Sequence, residues 1–566
     1  MIKHIIYRET YSNWLQTNSK LTSSKATLKQ PLISIVVPVF RPNLQYFEEF
    51  IGSIQSQSYA NWELCLCDDA SNSPELSQYL ENLTRSDKRI ITTKNLQNLH
   101  ISRSTNKAVE LAKGDWVVFS DQDDLLDKEA LNEIAHAIEQ NPEAELIYSD
   151  EDKLTTNGKR HSPYFKPDWS PELLLSQNYV NHLCAMRKPL FDELGGLRPN
   201  LEGAQDHDLL LRASKELSPS QVIHIPQVLY HWRILPTSTA GNSEQKPYAL
   251  KNAVTALSNH LNDLLPDYAP EVSIEKNKSY SFRIQKNHPS VSIIILNKDA
   301  PELLAKILTG LLSKTNYPDF EIIIVDHEST DEKTRTIFSS LSSNPKVKIL
   351  PYRGEFNFSK MNNLAAEKAF GEMLCFINND VEVIEEDWLM KLASYALLPN
   401  AGAVGPKLLY PSFRIQHAGI ILGIGPVAGH AFKFYPDTAP TYQRWGHLVR
   451  NVSAVTGAVL LLNSATFKKV GGFDSTDFPN TFSDVDLCCR LTNSGYRNIY
   501  VGTTKLIHHE SSSRGKFKDE SDIEGRFNQK WKKKFPLDPF YSQHLTKSSE
   551  DFSISTRSLG TQEDLK

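Results

Sequence analysis

The chain is punctuated by short apolar runs that lack polar alternation and stop on an acid or an amide, with helical periodicity between them. ISIVVPV, from Ile33, is the first and WELCLCD, ending at Asp68, the second; a short piece at Ile90 to Thr92 and then Val117, Val118 and Phe119 follow. Such β-branched and aromatic runs predict strands buried on both faces. The intervening patterns predict helices over Leu44 to Gln57, near Pro74 to Thr84 and over Ser102 to Ala112, the last leading through Gly114 into the fourth strand. Strand and helix in alternation predict a parallel sheet with right-handed crossovers, a Rossmann-like half.

The same pattern returns. From Val291 the chain reads VSIIILN, a helical stretch, FEIIIVD ending at Asp326, VKIL, and SKMNNLAAEKAFGEMLCFINND. Asp326 follows Asp68 by 258 residues, while Asn363, Gly371 and Asp380 follow Asn106, Gly114 and Asp123 by 257. Downstream, GAQDHDLLLR (Gly203 to Arg212) pairs with TFSDVDLCCR (Thr481 to Arg490), each after a Gly-Gly pair, and Asp484 follows Asp206 by 278. The half is duplicated, and its second copy carries about twenty extra residues, expected around the Gly-rich GIILGIGPVAGH, Gly419 to His430.

The boundaries that follow are an N-terminal arm at 1–30 with a weak helical pattern around Ile5, Tyr11 and Trp14, a first domain at 31–262, a connector at 263–288 that packs on both domains, a second domain at 289–540, and a disordered tail at 541–566. Composition adds little beyond exclusions. At 566 residues the chain exceeds a single core, and a net charge of −5 with 23% charged residues does not advertise nucleic-acid binding. The six cysteines have no zinc-ligand spacing, which predicts reduced core residues in a cytosolic protein. MIKHIIYRET has no apolar core of signal-peptide length, and the longest apolar run, Ala454 to Leu462, is too short to span a bilayer. Membrane contact, at the inner face, is therefore expected to be peripheral.

The chemistry sits where strands end. VVFSDQDDLLD, from Val117, closes a buried strand on Asp121, Asp123 and Asp124, and in open α/β sheets ligands bind beyond the carboxyl ends of strands. If extended, the stretch places Asp121 and Asp123 on one side, roughly 7 Å apart and repelling by about 2 kcal/mol. Hard oxygen donors of this kind suit Mg²⁺ or Mn²⁺ rather than zinc. Asp68, Asp69 and Asp326 end the second strands, where they serve a base or ribose, or else close turns. Asp206 and Asp484 each precede an apolar helical run; the plain alternative is that they cap helices beginning at Leu209 and Leu487. His231 with Arg233, and His508 with His509, follow short apolar strands, where a packed histidine is the competing reading. Trp169, Trp232 and Trp445 are read as core. No Gly-x-Gly-x-x-Gly follows either first strand, against a dinucleotide dehydrogenase.

These motifs, in this order, resemble the glycosyltransferases of family 2 with the GT-A fold, over about 31–262 and 289–535. GGFDSTDFPNTFSDVDLCCRL and HHESSSRG are similar to bacterial rhamnosyltransferase-type members that build O-antigens and related surface polysaccharides. The resemblance implies an α/β protein of two tandem Rossmann-like GT-A domains with mixed, mainly parallel central sheets. It implies an inverting, metal-dependent hexosyltransferase that moves sugar from a nucleotide-sugar donor to an oligosaccharide or lipid-linked glycan acceptor. Asp206 and Asp484 match the general base. Asp123, His231, Asp380, His508 and His509 fall at metal positions, with Mn²⁺ or Mg²⁺ as cofactor. Pro38, Phe40, Asp68, Asp69, Arg103, Asp121, Arg233, Asn297, Asp326, Lys360 and Asn378 fall at donor positions. The copies differ where Asn378 replaces Asp121. Both domains are expected to be active; the alternatives are one active domain beside a silent glycan- or donor-binding domain, and a nucleotidyltransferase, which the missing Gly-rich basic loop disfavours.

Overall fold

The structure, a computed structural model, describes residues 2–18, 30–235, 247–510 and 520–555. The first domain contains β1 (Ile33–Val39), β2 (Trp62–Asp68), β3 (Ile90–Lys94), β4 (Trp116–Phe119), β5 (Leu125–Leu126), β6 (Leu146–Leu154), β7 (Arg160–Tyr164), β8 (Cys184–Arg187) and β9 (Val222–Arg233). They form one nine-stranded sheet in the order β3-β2-β1-β4-β8-β6-β9-β5, with β7 beside β6. Every side chain of β2 is buried and nearly all of β1, as the unbroken apolar runs require. The half from β3 to β4 is parallel; beyond it β8 runs antiparallel to β4, and β6 and β9 pair parallel.

After the hairpin β10 (Glu271–Ile274) and β11 (Tyr280–Arg283), the second domain adds β12 (Val291–Asn297), β13 (Phe320–His327), β14 (Val347–Tyr352), β15 (Met373–Asn378), β16 (Val381–Glu382), β17 (Ala401–Leu409), β18 (Ile415–His417), β19 (Ile420–Leu422), β20 (Ala428–His430), β21 (Val449–Asn451), β22 (Val459–Asn463) and β23 (Arg497–His508). Its ten-stranded sheet repeats the first order as β14-β13-β12-β15-β22-β17-β23-β16. The fold class is thus the expected one, two α/β domains with mixed sheets. The β19–β20 hairpin, which has no counterpart among the described residues of the first domain, occupies the segment where the extra residues were expected.

The duplication reaches individual hydrogen bonds. Asn106 exchanges two bonds of 2.9 Å with the backbone of Leu197, and Asn363 makes the same pair with Phe473 at 2.8 and 2.9 Å. The glycine before each partner, Gly196 and Gly472, has φ of +69° and +68°, and a Cβ there would lie 2.9 or 2.7 Å from the asparagine Oδ1. That explains the paired glycines in sequence.

The arm is a helix, Ile2–Asn18, whose Tyr11 hydroxyl donates to Asp152 at 2.6 Å while Trp14 packs on Phe165 and His544. Residues 541–555 correct the expected tail: Phe552 stacks on Phe432 with centroids 4.4 Å apart, and His544 bonds the Pro226 carbonyl across the domain boundary at 2.7 Å. Four spaced apolar anchors, Tyr541, Leu545, Phe552 and Ile554, hold this polar-looking segment; residues 556–566 lie outside the described residues. All six cysteines are free and buried. Among the described residues no helix is long and apolar enough to cross a membrane.

His224 on β9 bridges buried Asp150 at 2.8 Å and Asp168 at 3.0 Å. Burial alone would lower its pKa, but Asp150 and then Asp168 outweigh burial and raise it. Because the folded value is the higher one, this stabilisation is whole below the unfolded value of about 6.5 and is lost as pH rises through the folded value. The stability gap between wild type and His224→Gln, from denaturant titrations, should therefore narrow as pH rises above about 6.5. A constant gap contradicts the charged-imidazole reading.

Candidate active site

In the first domain β4 ends at Phe119, and the next residues form a turn instead of extending the strand. Gln122 holds that turn against the end of β1, accepting from Phe40 N at 2.9 Å and donating to Phe40 O at 3.1 Å. The expected pairing of Asp121 with Asp123 is thereby corrected, because a turn brings residues i and i+3 together. The ligand atoms of Asp121, Asp124 and His182 all lie within 4.8 Å of one another. Asp124 is fully buried and accepts from the Tyr230 hydroxyl at 2.6 Å and Arg233 N at 2.7 Å. Burial first, then Asp121 and Asp123, hold its carboxyl well above the usual range. Asp123 is pushed up to about 6, by burial and then by Asp121. Such crowding favours a bound cation.

His182 had no signal in the sequence. It stands two residues before β8, and because β8 runs antiparallel to β4 with Cys184 opposite Phe119, residue 182 falls beside residue 121. Its Nε2 is 3.7 Å from Asp121, its ring stacks on Tyr230, and its Nδ1 is buried without a partner. An imidazole and two carboxylates fit Mn²⁺ or Mg²⁺.

His231, expected at the metal, lies elsewhere: its Nδ1 is 2.7 Å from Asp152, its Nε2 is 3.9 Å from Asp127, and it is not in the three-residue cluster. Arg233, expected at the donor, is 1% exposed and donates to Glu49 and the Asp123 carbonyl at 2.6 and 2.7 Å. It braces the acidic turn from behind.

In the second domain, His508 Nε2 lies 3.0 Å from Asp380 and 3.4 Å from Asn378 Nδ2, while its Nδ1 meets Gln416 at 2.6 Å. His509 instead meets Glu382 at 3.0 Å and Lys306 at 3.1 Å. Of the two histidines, His508 faces the acid. The registers expose a swap. Val381 opposes His508, whereas Leu125, two residues after Asp123, opposes His231. The counterpart of His508 is therefore Trp232, whose ring stands edge-on to His182 with centroids 6.0 Å apart. The counterpart of His182 is Ala458, whose carbonyl accepts from Asn378 N. Each domain brings one histidine to its acidic turn, from opposite neighbouring strands.

Asp206 and Asp484 are not caps. Their helices, Gln205–Glu216 and Ser483–Asn493, begin earlier than expected, and the cap positions, Ala204 and Phe482, make no side-chain cap bond. Asp206 accepts from Asn178 Nδ2 at 2.9 Å and His207 N at 2.8 Å. Asp484 accepts from Gly457 N at 2.7 Å and Val485 N at 2.9 Å. The second acid of each motif is structural: Asp208 is held by Arg212 at 2.9 Å and Asp486 by Arg490 at 2.7 Å.

Of the remaining expected donor residues, Asp68 accepts from Ser71 N at 2.9 Å and lies 3.6 Å from Lys94. Asp69 is buried and accepts from Asn95 and Leu99 N at 2.8 and 2.7 Å, which commits it to the loop. Asp326 accepts from Ser329 N, and Asn297 joins Asn379 at 2.9 Å as Phe40 joins Gln122. Pro38 lies in β1, half-buried, and Arg103 and Lys360 are exposed on helices His100–Leu111 and Phe358–Lys368. Trp445 is buried in the core, while Trp169 and Trp232 are half-buried.

The family model described as "Glycosyl transferase family 2" matches residues 34–195 and 290–417, just over half of the chain and one segment in each domain. The chain is 39% identical over 535 residues to the uncharacterized protein y4gI of Sinorhizobium fredii, covering 93% of this chain and 59% of that one. It is 38% identical over 534 residues to the O-antigen biosynthesis protein RfbC of Myxococcus xanthus, covering 93% and 41%. An N-acetylglucosaminyl-diphospho-decaprenol L-rhamnosyltransferase of Mycobacterium tuberculosis is 27% identical over 231 residues, covering 38% of this chain and 74% of that one. The chain thus spans less than two thirds of the length of the first two relatives. Matched once in each half of its duplicated fold, the chain belongs to glycosyl transferase family 2.

Proposed function

We propose that both domains are inverting glycosyltransferase sites that move sugars, of the hexose type, from nucleotide-sugar donors to a growing bacterial surface glycan, oligosaccharide or lipid-linked. The observation that carries this reading is the recurrence, in both domains, of an uncapping first-turn aspartate together with an acidic turn joined by a histidine. Asp206 or Asp484 takes the proton of the acceptor hydroxyl, whose oxygen bonds to the anomeric carbon as the bond to the diphosphate breaks and the nucleoside diphosphate leaves with the electron pair. As a general base the aspartate acts through its position within reach of the acceptor hydroxyl. A divalent cation, when bound, supplies charge neutralisation for the leaving diphosphate. Asp121, Asp124 and His182 would hold it in the first domain, and Asp380 with His508 in the second. Asp123, beside Asp121 on the same turn, is the neighbouring acid whose carboxyl burial pushes up to about 6. The O-antigen relative supports a surface polysaccharide as product, and the diphospho-decaprenol relative supports a lipid-linked acceptor met at the cytoplasmic face of the membrane. Nucleic acid has no role in this reading.

One observation favours a second reading, a silent second domain: Asn378 stands where the first domain has Asp121, and the three-ligand cluster found among the described residues belongs to the first domain. The intact chain incubated with dTDP-, UDP- and GDP-sugars should release nucleotide with Mn²⁺ and not with EDTA; no release from any donor would contradict the proposal. Spin-resonance titration with Mn²⁺ should count two sites per chain. His182→Ala and His508→Ala should each weaken one site by about tenfold or more, whereas His231→Ala should leave both in place. Loss of a site in His231→Ala would restore that residue to the metal.

A further inference from the structure

The β18–β20 segment is unused by the mechanism above and sits beside the second site. Gln416 on β18 orients His508 and donates to Glu510 at 3.2 Å, and Tyr410, where β17 ends, lies next to the same Glu510. His417 and His430, on β18 and β20, face each other through their Nδ1 atoms at 3.0 Å. His417 is wholly buried, so it fixes the ring of half-buried His430, whose neighbours include Lys433, Asp484, Glu510 and His508. The outer edge is aromatic. Phe413 and Phe434 are each 57% exposed, and Phe434 lies parallel to Tyr410, 5.3 Å apart and 6° between planes. Phe413 and Phe434 also hold φ of +56° and +66°, a region that bulky residues seldom adopt and that recurs at functional sites.

Exposed aromatic faces on strained backbone, continuous through Tyr410, Glu510 and Gln416 with His508, match the two sides of a pyranose: an apolar C–H face and a rim of hydroxyls. We propose that Tyr410 to Phe434 is the acceptor platform of the second site, where Phe413 and Phe434 bear a sugar ring of the acceptor glycan and His430 contacts its hydroxyls. The inference rests on Asp484, Asp380 and His508 forming a transfer site. It assigns the second domain an acceptor different from that of the first, which has no β19–β20 hairpin among its described residues.

The test uses the intact chain and the double variant Phe413→Asn/Phe434→Asn. Asparagine tolerates the left-handed backbone, so the fold is kept and Tm should not fall. On a printed array of bacterial surface polysaccharides, wild type should retain a subset, and the double variant should bind these about tenfold more weakly or worse, with Mn²⁺-dependent binding of UDP, dTDP or GDP unchanged. Retention of no polysaccharide by a wild type that binds nucleotide overturns the platform alone, as does equal retention by the variant. Absence of nucleotide binding in wild type overturns the transferase reading and the platform with it. Vesicles of phosphatidylethanolamine and phosphatidylglycerol are the control: if the variant loses vesicle binding while its array signal is unchanged, the aromatic edge is a membrane contact and the acceptor assignment falls.

Discussion

Asp484→Asn is expected to lower the rate of sugar transfer by the second domain about 10²- to 10⁴-fold, the usual contribution of a positioned general base. The carboxylate accepts two backbone amides, from Gly457 and Val485, one on each oxygen. An amide side chain satisfies only one of them, so part of any loss is structural. The two parts separate in kinetics: removal of the base lowers kcat with donor affinity unchanged, whereas a displaced helix end raises the donor KM as well. Asp206→Asn should behave alike in the first domain, where Asn178 takes the place of the Gly457 amide. A loss below about tenfold with donor KM unchanged would return both residues to a structural role.

Arg497→Ala is expected to destabilise the protein by about 3–5 kcal/mol, read as a lower denaturant midpoint. Arg497 of the second domain binds both carboxylate oxygens of Glu172 of the first, at 2.7 to 3.1 Å, and the Glu172 side chain is 2% exposed. Burial alone would lower the guanidinium pKa, but Glu172 outweighs it and raises it. Removing the arginine strands a buried carboxylate. Glu172→Ala should cost less, because the guanidinium left behind is 23% exposed and still donates to the Pro399 carbonyl at 2.8 Å. Losses below about 1 kcal/mol in both variants would mean that the pair is no more than a surface contact. Beside it, Asn451 accepts from Ser170 Oγ and donates its own N–H back to it, at 2.8 and 3.2 Å, so the helix Pro171–Ser176 plugs into β21. The two domains are therefore pinned to each other at this contact.

Periodicity and repetition make the architecture legible in the sequence. Buried strands announce themselves as unbroken apolar runs, and recurring Asn and Asp residues proved to be the ones that make the same bonds in both domains. What the sequence hid was pairing across strands. His182 follows no acid at motif spacing; the antiparallel register of β8 on β4 alone brings it to Asp121. His231 looked like the match of His508 because both end a late apolar strand, yet the registers differ by one residue, which moves the side chain to the opposite face. Asp124, rather than Asp123, gathers with Asp121 and His182 because a turn, not a strand, follows Phe119. The 541–555 segment reads as polar because its anchors are too far apart to show a period.

The central claim, two working sites in one chain, is tested most directly by mass spectrometry of the product. With the donors that the nucleotide-release panel identifies, the intact chain should extend its acceptor through two distinguishable additions. Asp206→Asn and Asp484→Asn should each lose a different one. A wild-type product from either variant would contradict the account and leave that domain a silent partner.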